Sequence, residues 1–268
     1  MANTIMNKLI TRQYFKEYRN ALGFTNQDAV KKFFAGKDIT PTVDYNYIEL
    51  LNTRLIEIIK KINSLVSTDI NVTKIDEFCT DNVELVFNKL KDNNIIPRLN
   101  NQGRRPEQVY FSWMRGYIIS NYFLKALSKI FEVSLEDISL IGDDDLVNIE
   151  LFKRTPTADL EIALKDGNKL RIEVQSGFVG VNDIKQHKVL EAKRIFETDG
   201  ISSLAIHFDL FNGQVAFIKL DEIEDNSVNW ITRQQMEGQT VFNIEQNYFT
   251  WKLTEAPPLL NDIFADII

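Results

Sequence analysis

Apolar residues recur at helical spacing through the first half of the chain and then switch to alternation. Over residues 7–22, Leu9, Ile10, Tyr14, Tyr18, Ala21 and Leu22 keep a period near 3.6, and Gly23 stops the run. Thr25 to Asp28 carries a weak capping signal for a short helix ending at Gly36. The strongest stripe spans residues 47–65, with Ile48, Leu51, Leu55, Ile58, Ile59, Ile62 and Leu65 on one face. Another spans residues 75–90 through Phe78, Val83, Val86, Phe87 and Leu90. Each stripe predicts a helix with one face packed in a core. Residues 97–106 have the composition of a loop and form the most basic short stretch. Pro106 suits the first turn of a long helix predicted to reach residue 131, interrupted at Gly116 by close packing.

From about residue 146 the period becomes two. Strands are predicted at residues 147–152, 158–164, 169–175, 203–210 and 215–220, with one helix at 183–196 between the third and fourth. This pattern predicts an α/β (α+β) protein: a helical N-terminal region, residues 1–104, and a core of mixed β-sheet flanked by helices, residues 105–268, with a C-terminal extension. The apolar tail (Leu259, Leu260, Ile263, Phe264, Ile267, Ile268) is expected to pack rather than float.

Composition narrows the function classes. Apolar residues make up 44% and charged residues 26%, the balance of a globular chain with a core. No apolar run is long enough to span a membrane, and the first seven residues lack the basic-then-apolar build of a signal peptide, so a reducing cytoplasm is expected. Cys79 stands alone, which excludes an internal disulfide, and His187 and His207 are too few for a multi-histidine metal cluster. The net charge of −7 argues against a general nucleic-acid coat protein. It leaves room for a DNA enzyme whose carboxylates hold metal.

The chemistry concentrates in residues 155–177, where two alternating strands flank Asp166-Gly167-Asn168, a hairpin turn signal. With those three residues as the loop, paired positions sum to 334, so Asp159 faces Gln175 and Glu161 faces Glu173. Opposed residues share a face. Leu160, Ile162, Leu164, Leu170, Ile172 and Val174 then line the other face. A two-residue loop would mix the two sets and bury carboxylates. One face therefore gathers three carboxylates and an amide. Such a cluster either is a solvated hairpin face or calls for a cation, and hard oxygen donors suit Mg²⁺.

This segment resembles the core of the PD-(D/E)XK nuclease superfamily, which includes most type II restriction endonucleases. Asp159 matches the first acid, with Pro156 three residues ahead; Glu173 matches the second, and Val174 the apolar spacer. Gln175 stands where the family usually has Lys, a Glu-X-Gln variant used by some restriction endonucleases. A long helix, three strands, a helix and two strands over about residues 105–220 follow the superfamily's order. The resemblance implies a restriction-endonuclease-like core, with Asp159, Glu173 and Gln175 catalytic, Asp159 and Glu173 binding Mg²⁺, and Glu161 on a second metal or behind the first. Lys185 or Lys188, from the next helix, is the alternative source of the missing lysine.

The implied activity is Mg²⁺-dependent hydrolysis of phosphodiesters at a short site in double-stranded DNA by a homodimer, alongside a cognate DNA methyltransferase and away from membranes. A repair, junction-resolving or phage-defence nuclease, or an inactive DNA-binding protein of the same fold, are the alternatives. Candidate DNA contacts are Arg98, Asn100, Asn101, Gln102, Arg104 and Arg105 in the basic loop, Lys153, Arg154, Lys185 and Lys188 for phosphates, and Thr232, Arg233, Gln234 and Gln235 after the last core strand.

Overall fold

A computed structural model describes residues 10–264 except 25, 37–38, 100–103, 142–145, 150–151, 153–157, 179–181 and 235–237. Two short helices, α1 (Arg12–Leu22) and α2 (Gln27–Phe34), lead the chain. The long α3 (Tyr45–Leu65) follows, capped by Asp44, whose carboxylate accepts the Tyr47 N–H. α4 (Ile75–Cys79), a π-helical turn (Thr80–Glu84) and α5 (Leu85–Asp92) run on as one helical stretch. α6 (Pro106–Tyr122) and α7 (Leu124–Ile130) complete the helical half.

The strands are β1 (Ile138–Leu140), β2 (Leu160–Ala163), β3 (Lys169–Gly177), β4 (Asp183–Lys185), β5 (Ser202–Asp209), β6 (Gln214–Lys219), β7 (Ile231–Arg233), β8 (Gln239–Asn243) and β9 (Phe249–Lys252). α8 (Gln186–Asp199) connects β4 to β5, and α9 (Leu260–Ile263) ends the described chain. The main sheet has the order β1-β2-β3-β5-β6-β9 and is mixed: β3 and β5 are parallel, and all other neighbours are antiparallel. A second sheet, β4-β8-β7, is antiparallel.

Alternation along the strands separates two faces. Ile172, Leu204, Ile206 and Phe208 enter one large cluster with Ile48, Leu55 and Ile59 of α3 and Tyr110, Met114 and Ile118 of α6. Each such side chain contributes roughly 1.5–3 kcal/mol by leaving water. On the opposite face Ala205, Ala216 and Ile218 pack with Val189 and Ala192 of α8 and with Ile184 and Phe242 of the second sheet. The main sheet therefore lies between a helical layer and a layer made of α8 and the small sheet. The larger cluster draws on residues either side of position 104, so α3, α4, α5 and the sheet share it.

Several sequence expectations change. α1 begins at Arg12, and neither α1 nor α2 buries a residue: Tyr14, Tyr18, Phe33 and Phe34 are exposed, Phe34 by 82%. The helix predicted to reach residue 131 breaks at Phe123, while α6 runs straight through Gly116. A Cβ there would meet nothing within 4 Å, so close packing does not explain the glycine. Val147 to Ile149 form turns rather than a strand, and the first strand is the unpredicted β1. Residues 183–185, read as the start of a helix, form β4. Thr232 and Arg233, placed after the last predicted strand, lie in a further strand, β7. At the C-terminus Leu260, Ile263 and Phe264 do pack against the core; Ile267 and Ile268 lie outside the described residues.

The hairpin register is also corrected. Leu160 pairs with Ile172 and Glu161 with Arg171, so paired numbers sum to 332 rather than 334. The loop is Lys165-Asp166-Gly167, closed by the Leu164 N–H donating to the Asn168 carbonyl (2.8 Å), with Gly167 at φ 87°. A three-residue hairpin loop places its left-handed residue last, and only glycine takes that conformation cheaply. The slip is by two residues, so each side chain keeps its predicted face.

Candidate active site

β2 starts opposite Ile172, and β3 runs on past it to Gly177. The second half of β3 therefore has β5 on one side and lacks β2 on the other. Asp159, just before β2, closes part of this gap. Its N–H donates to the Ile172 carbonyl (3.1 Å), and its Oδ2 accepts the Val174 N–H (2.7 Å). A backbone donor that a longer β2 would have paired is thus satisfied by a carboxylate, a charge-assisted bond stronger than a neutral one. The arrangement fixes the Asp159 side chain beside the Glu173–Val174 peptide.

Glu173 lies on the α8 face of β3. Its Oε2 accepts from Lys188 Nζ at 2.7 Å, and the two side chains are only 12% and 19% exposed. Burial pushes the Glu173 carboxyl above its ordinary range, opposed by the attraction of Lys188 and, more weakly, of Lys185. A carboxylate this dry needs its partner: removing either member of a buried pair leaves an uncompensated charge.

Further along the same face, Gln175 sits beside His207 in the parallel register of β3 and β5. Both line a cleft of about 600 Å³, whose walls also carry Glu173, Lys188, Lys185 at the end of β4, Arg233 on β7, Asp183 on β4, and Ser112, Arg115 and Gly116 on α6. Val174 lines it too, which ties Asp159 to the cleft through the Val174 N–H. Arg233 clamps Asp183 with two bonds, Nε to Oδ2 at 2.9 Å and Nη2 to Oδ1 at 3.2 Å, and Asp183 is 3% exposed. Arg115 lies over the Phe111 ring at 5.4 Å. Four cations against two lining carboxylates give the cleft a basic cast within an acidic chain.

His207 is buried, with Nε2 2.8 Å from Asn182 Oδ1. Burial drives its pKa down to about 4, against the smaller attraction of Asp209 and Asp183, so it is neutral near pH 7.

The sequence-derived candidates divide accordingly. Asp159, Glu173 and Gln175 come together on β3 and its open edge, and Lys185, Lys188 and Arg233 reach the same cleft. Lys185 and Lys188 do so from a strand and a helix rather than from one helix face. Glu161 is drawn away by Lys169 (2.7 Å) and Arg171 (3.8 Å), cross-strand partners that balance its charge. Arg98, Arg104, Arg105 and Gln234 do not line the cleft. Arg105 instead holds the buried Glu107 at 2.8 Å, and Glu107 also accepts the Asp44 N–H. Asn100, Asn101, Gln102, Lys153, Arg154, Pro156 and Gln235 lie outside the described residues. Sequence reading missed Arg115, Asp183 and His207. Alternation alone would have put His207 on the face of Glu173 and Gln175, because Leu204, Ile206 and Phe208 mark the other one.

Two carboxylates, Asp159 and Glu173, form a hard oxygen set of the size that Mg²⁺ takes from a protein when water and phosphate complete its shell. Among the described residues no group of three or more His, Cys, Asp or Glu is placed to hold a metal. Among the described residues the carboxylates therefore do not make an all-protein metal cage. In comparisons with known proteins, no family model, curated protein or solved structure matches the chain.

Proposed function

We propose that the protein is an Mg²⁺-dependent endonuclease of the PD-(D/E)XK type that cuts double-stranded DNA at a short site, as type II restriction endonucleases do. The observation that carries this reading is the meeting of Asp159, Glu173 and Lys188 at the open half of β3, with the Lys188 amine 2.7 Å from Glu173. Lys188 supplies from α8 the amine that the Glu-X-Gln sequence lacks on the strand. The restriction-endonuclease-like core is supported by the order β1-β2-β3-β5-β6, the parallel β3–β5 pair and the crossover through α8.

In this reading Asp159 and Glu173 hold Mg²⁺, with the Val174 carbonyl as a further candidate ligand, since the Ile172 carbonyl already accepts from Asp159. A bound Mg²⁺ polarises the scissile phosphate and lowers the pKa of a water. Lys188 opposes the rise that burial imposes on the Glu173 carboxyl and stands within reach of a phosphate oxygen or the attacking water. Gln175 orients by hydrogen bonding and, being an amide, takes no proton. Arg115 on one wall and Lys185 and Arg233 on the other hold the phosphate backbone. A two-fold dimer on a palindromic site and a cognate methyltransferase in the cytoplasm belong to the same proposal.

The test is incubation of the purified chain with Mg²⁺ and either methylated or unmethylated genomic DNA. Discrete fragments from unmethylated DNA, lost on adding a chelator, are expected. Diffuse degradation would point to a nuclease without a fixed site, and intact DNA under every condition would overturn the proposal.

A further inference from the structure

One buried acceptor in the cleft wall has no role so far. His207 is 4% exposed, and its Nδ1 is buried without a hydrogen-bond partner. Native interiors rarely leave such an atom unsatisfied, and the exceptions call for a cause. The tautomer follows from its neighbours. Asn182 Nδ2 faces Asp209 Oδ2 at 3.5 Å, and a carboxylate cannot donate, so the amide nitrogen belongs on that side. Asp209 is itself held as a carboxylate by Asn212 (2.7 Å) and Gln214 (3.1 Å). Asn182 therefore presents Oδ1 to His207, and Nε2–H donates to it. Nδ1 is left as a bare lone pair fixed in orientation.

A side chain able to answer it is placed by the sheet. Gln175 is the direct partner of His207 in the parallel β3–β5 pair, so the two side chains stand next to each other on one face. Among the described residues no hydrogen bond holds the Gln175 carboxamide. Its NH₂ group is therefore available to Nδ1.

We propose that His207 is a positioning residue for Gln175: Nδ1 accepts a hydrogen bond from Gln175 Nε2, which turns Gln175 Oε1 into the cleft beside Glu173. The order Asp209, Asn182, His207, Gln175 then fixes which end of an otherwise two-fold ambiguous amide meets the ligand. The neutral state of His207 at pH 7 agrees, because an imidazolium has no lone pair to offer. The consequence for cleavage rests on the nuclease reading; the hydrogen bond does not.

The experiment therefore has two arms. Long-range ¹H–¹⁵N spectra of the full-length chain at pH 7 report both ring nitrogens of each histidine, with His187→Gln assigning the two. The expected result is an Nε2–H tautomer for His207 and an Nδ1 resonance that shifts downfield, toward that of a bare lone pair, in Gln175→Met. An unchanged Nδ1 resonance, or the opposite tautomer, would overturn the proposal whether or not the chain cuts DNA. In the second arm, cleavage at saturating Mg²⁺ is compared for Gln175→Met, His207→Phe and the double variant, with DNA binding measured in Ca²⁺. Each single change should lower kcat by about 100-fold with KM little altered, and the double should cost no more than either single. Independent, multiplying losses would overturn the coupling. Gln175→Met alone carries the spectral test should a His207 variant fail to fold.

Discussion

The two faces of the main sheet are built from the same strands and to different ends. Facing α3 and α6, the strands present Ile172, Ile206 and Phe208, all fully buried among apolar neighbours. One residue along, facing α8, they present Glu173, Gln175, His207 and Asp209. The first face stabilises by transfer from water; the second pays desolvation for groups that need partners to be tolerated. A protein that only had to fold would gain by making the second face like the first. The difference marks the α8 side as the proposed working side.

The sharpest way to break that contrast is Asp159→Asn. Asn keeps an oxygen to accept the Val174 N–H, so thermal unfolding should change little, while Mg²⁺-dependent cleavage should fall by about 1,000-fold or more. Near-normal cutting would remove the working side its meaning. Next comes Lys188→Met, which strands a buried carboxylate. We expect a loss of about 3–5 kcal/mol in urea unfolding at pH 7, shrinking as the pH falls and Glu173 takes up a proton, together with loss of cleavage. Adding Glu173→Leu should restore stability and leave activity absent. On the apolar face, Phe208→Ala removes a ring stacked 3.9 Å from Phe123 and should cost about 3–5 kcal/mol, yet spare the specific activity of whatever folds.

The weaker effects sharpen the comparison. His207 has its folded pKa near 4, below the ordinary 6.5, so between those values the unfolded chain binds a proton that the folded one refuses. Stability should therefore be full above pH 6.5 and fall by about 3 kcal/mol toward pH 4. His207→Phe should flatten that slope in unfolding titrations. Smallest is Gly116→Ala: the site has open space within an exposed helix interior, so the melting temperature should rise, with a gain of up to about 1 kcal/mol.

Legibility in the sequence follows the physics of each element. The stripes of α3 and the alternation of β2, β3, β5 and β6 were readable because burial on one side writes a period. β1, β4 and β7 are three residues each, too short for any period to register. α2 was readable as a helix from a weak capping signal, and the stripe of α1 was readable as a helix and misread as core, since amphipathicity does not say what covers the apolar face. Asp159, Glu173 and Gln175 emerged from spacing within one hairpin. The Lys188–Glu173 pair could only be named as an alternative, because the crossing of α8 over β3 is a matter of tertiary packing. Arg115 enters from an element distant in sequence and carried no local signal; alternation along β5 marked the face of His207 but not that β5 lies beside β3.

The parallel pairing of β3 with β5 also has a kinetic meaning. Two parallel neighbours cannot be joined by a tight turn; here the connection runs through β4 and α8 from Gly177 to Ser202. The β2–β3 hairpin can form early from local contacts, bringing Asp159 and Glu173 together, but Lys188 and His207 arrive only after that long connection has closed. A half-made chain would carry its acids without the amine and the imidazole beside them. The candidate site is thus complete only when the fold is.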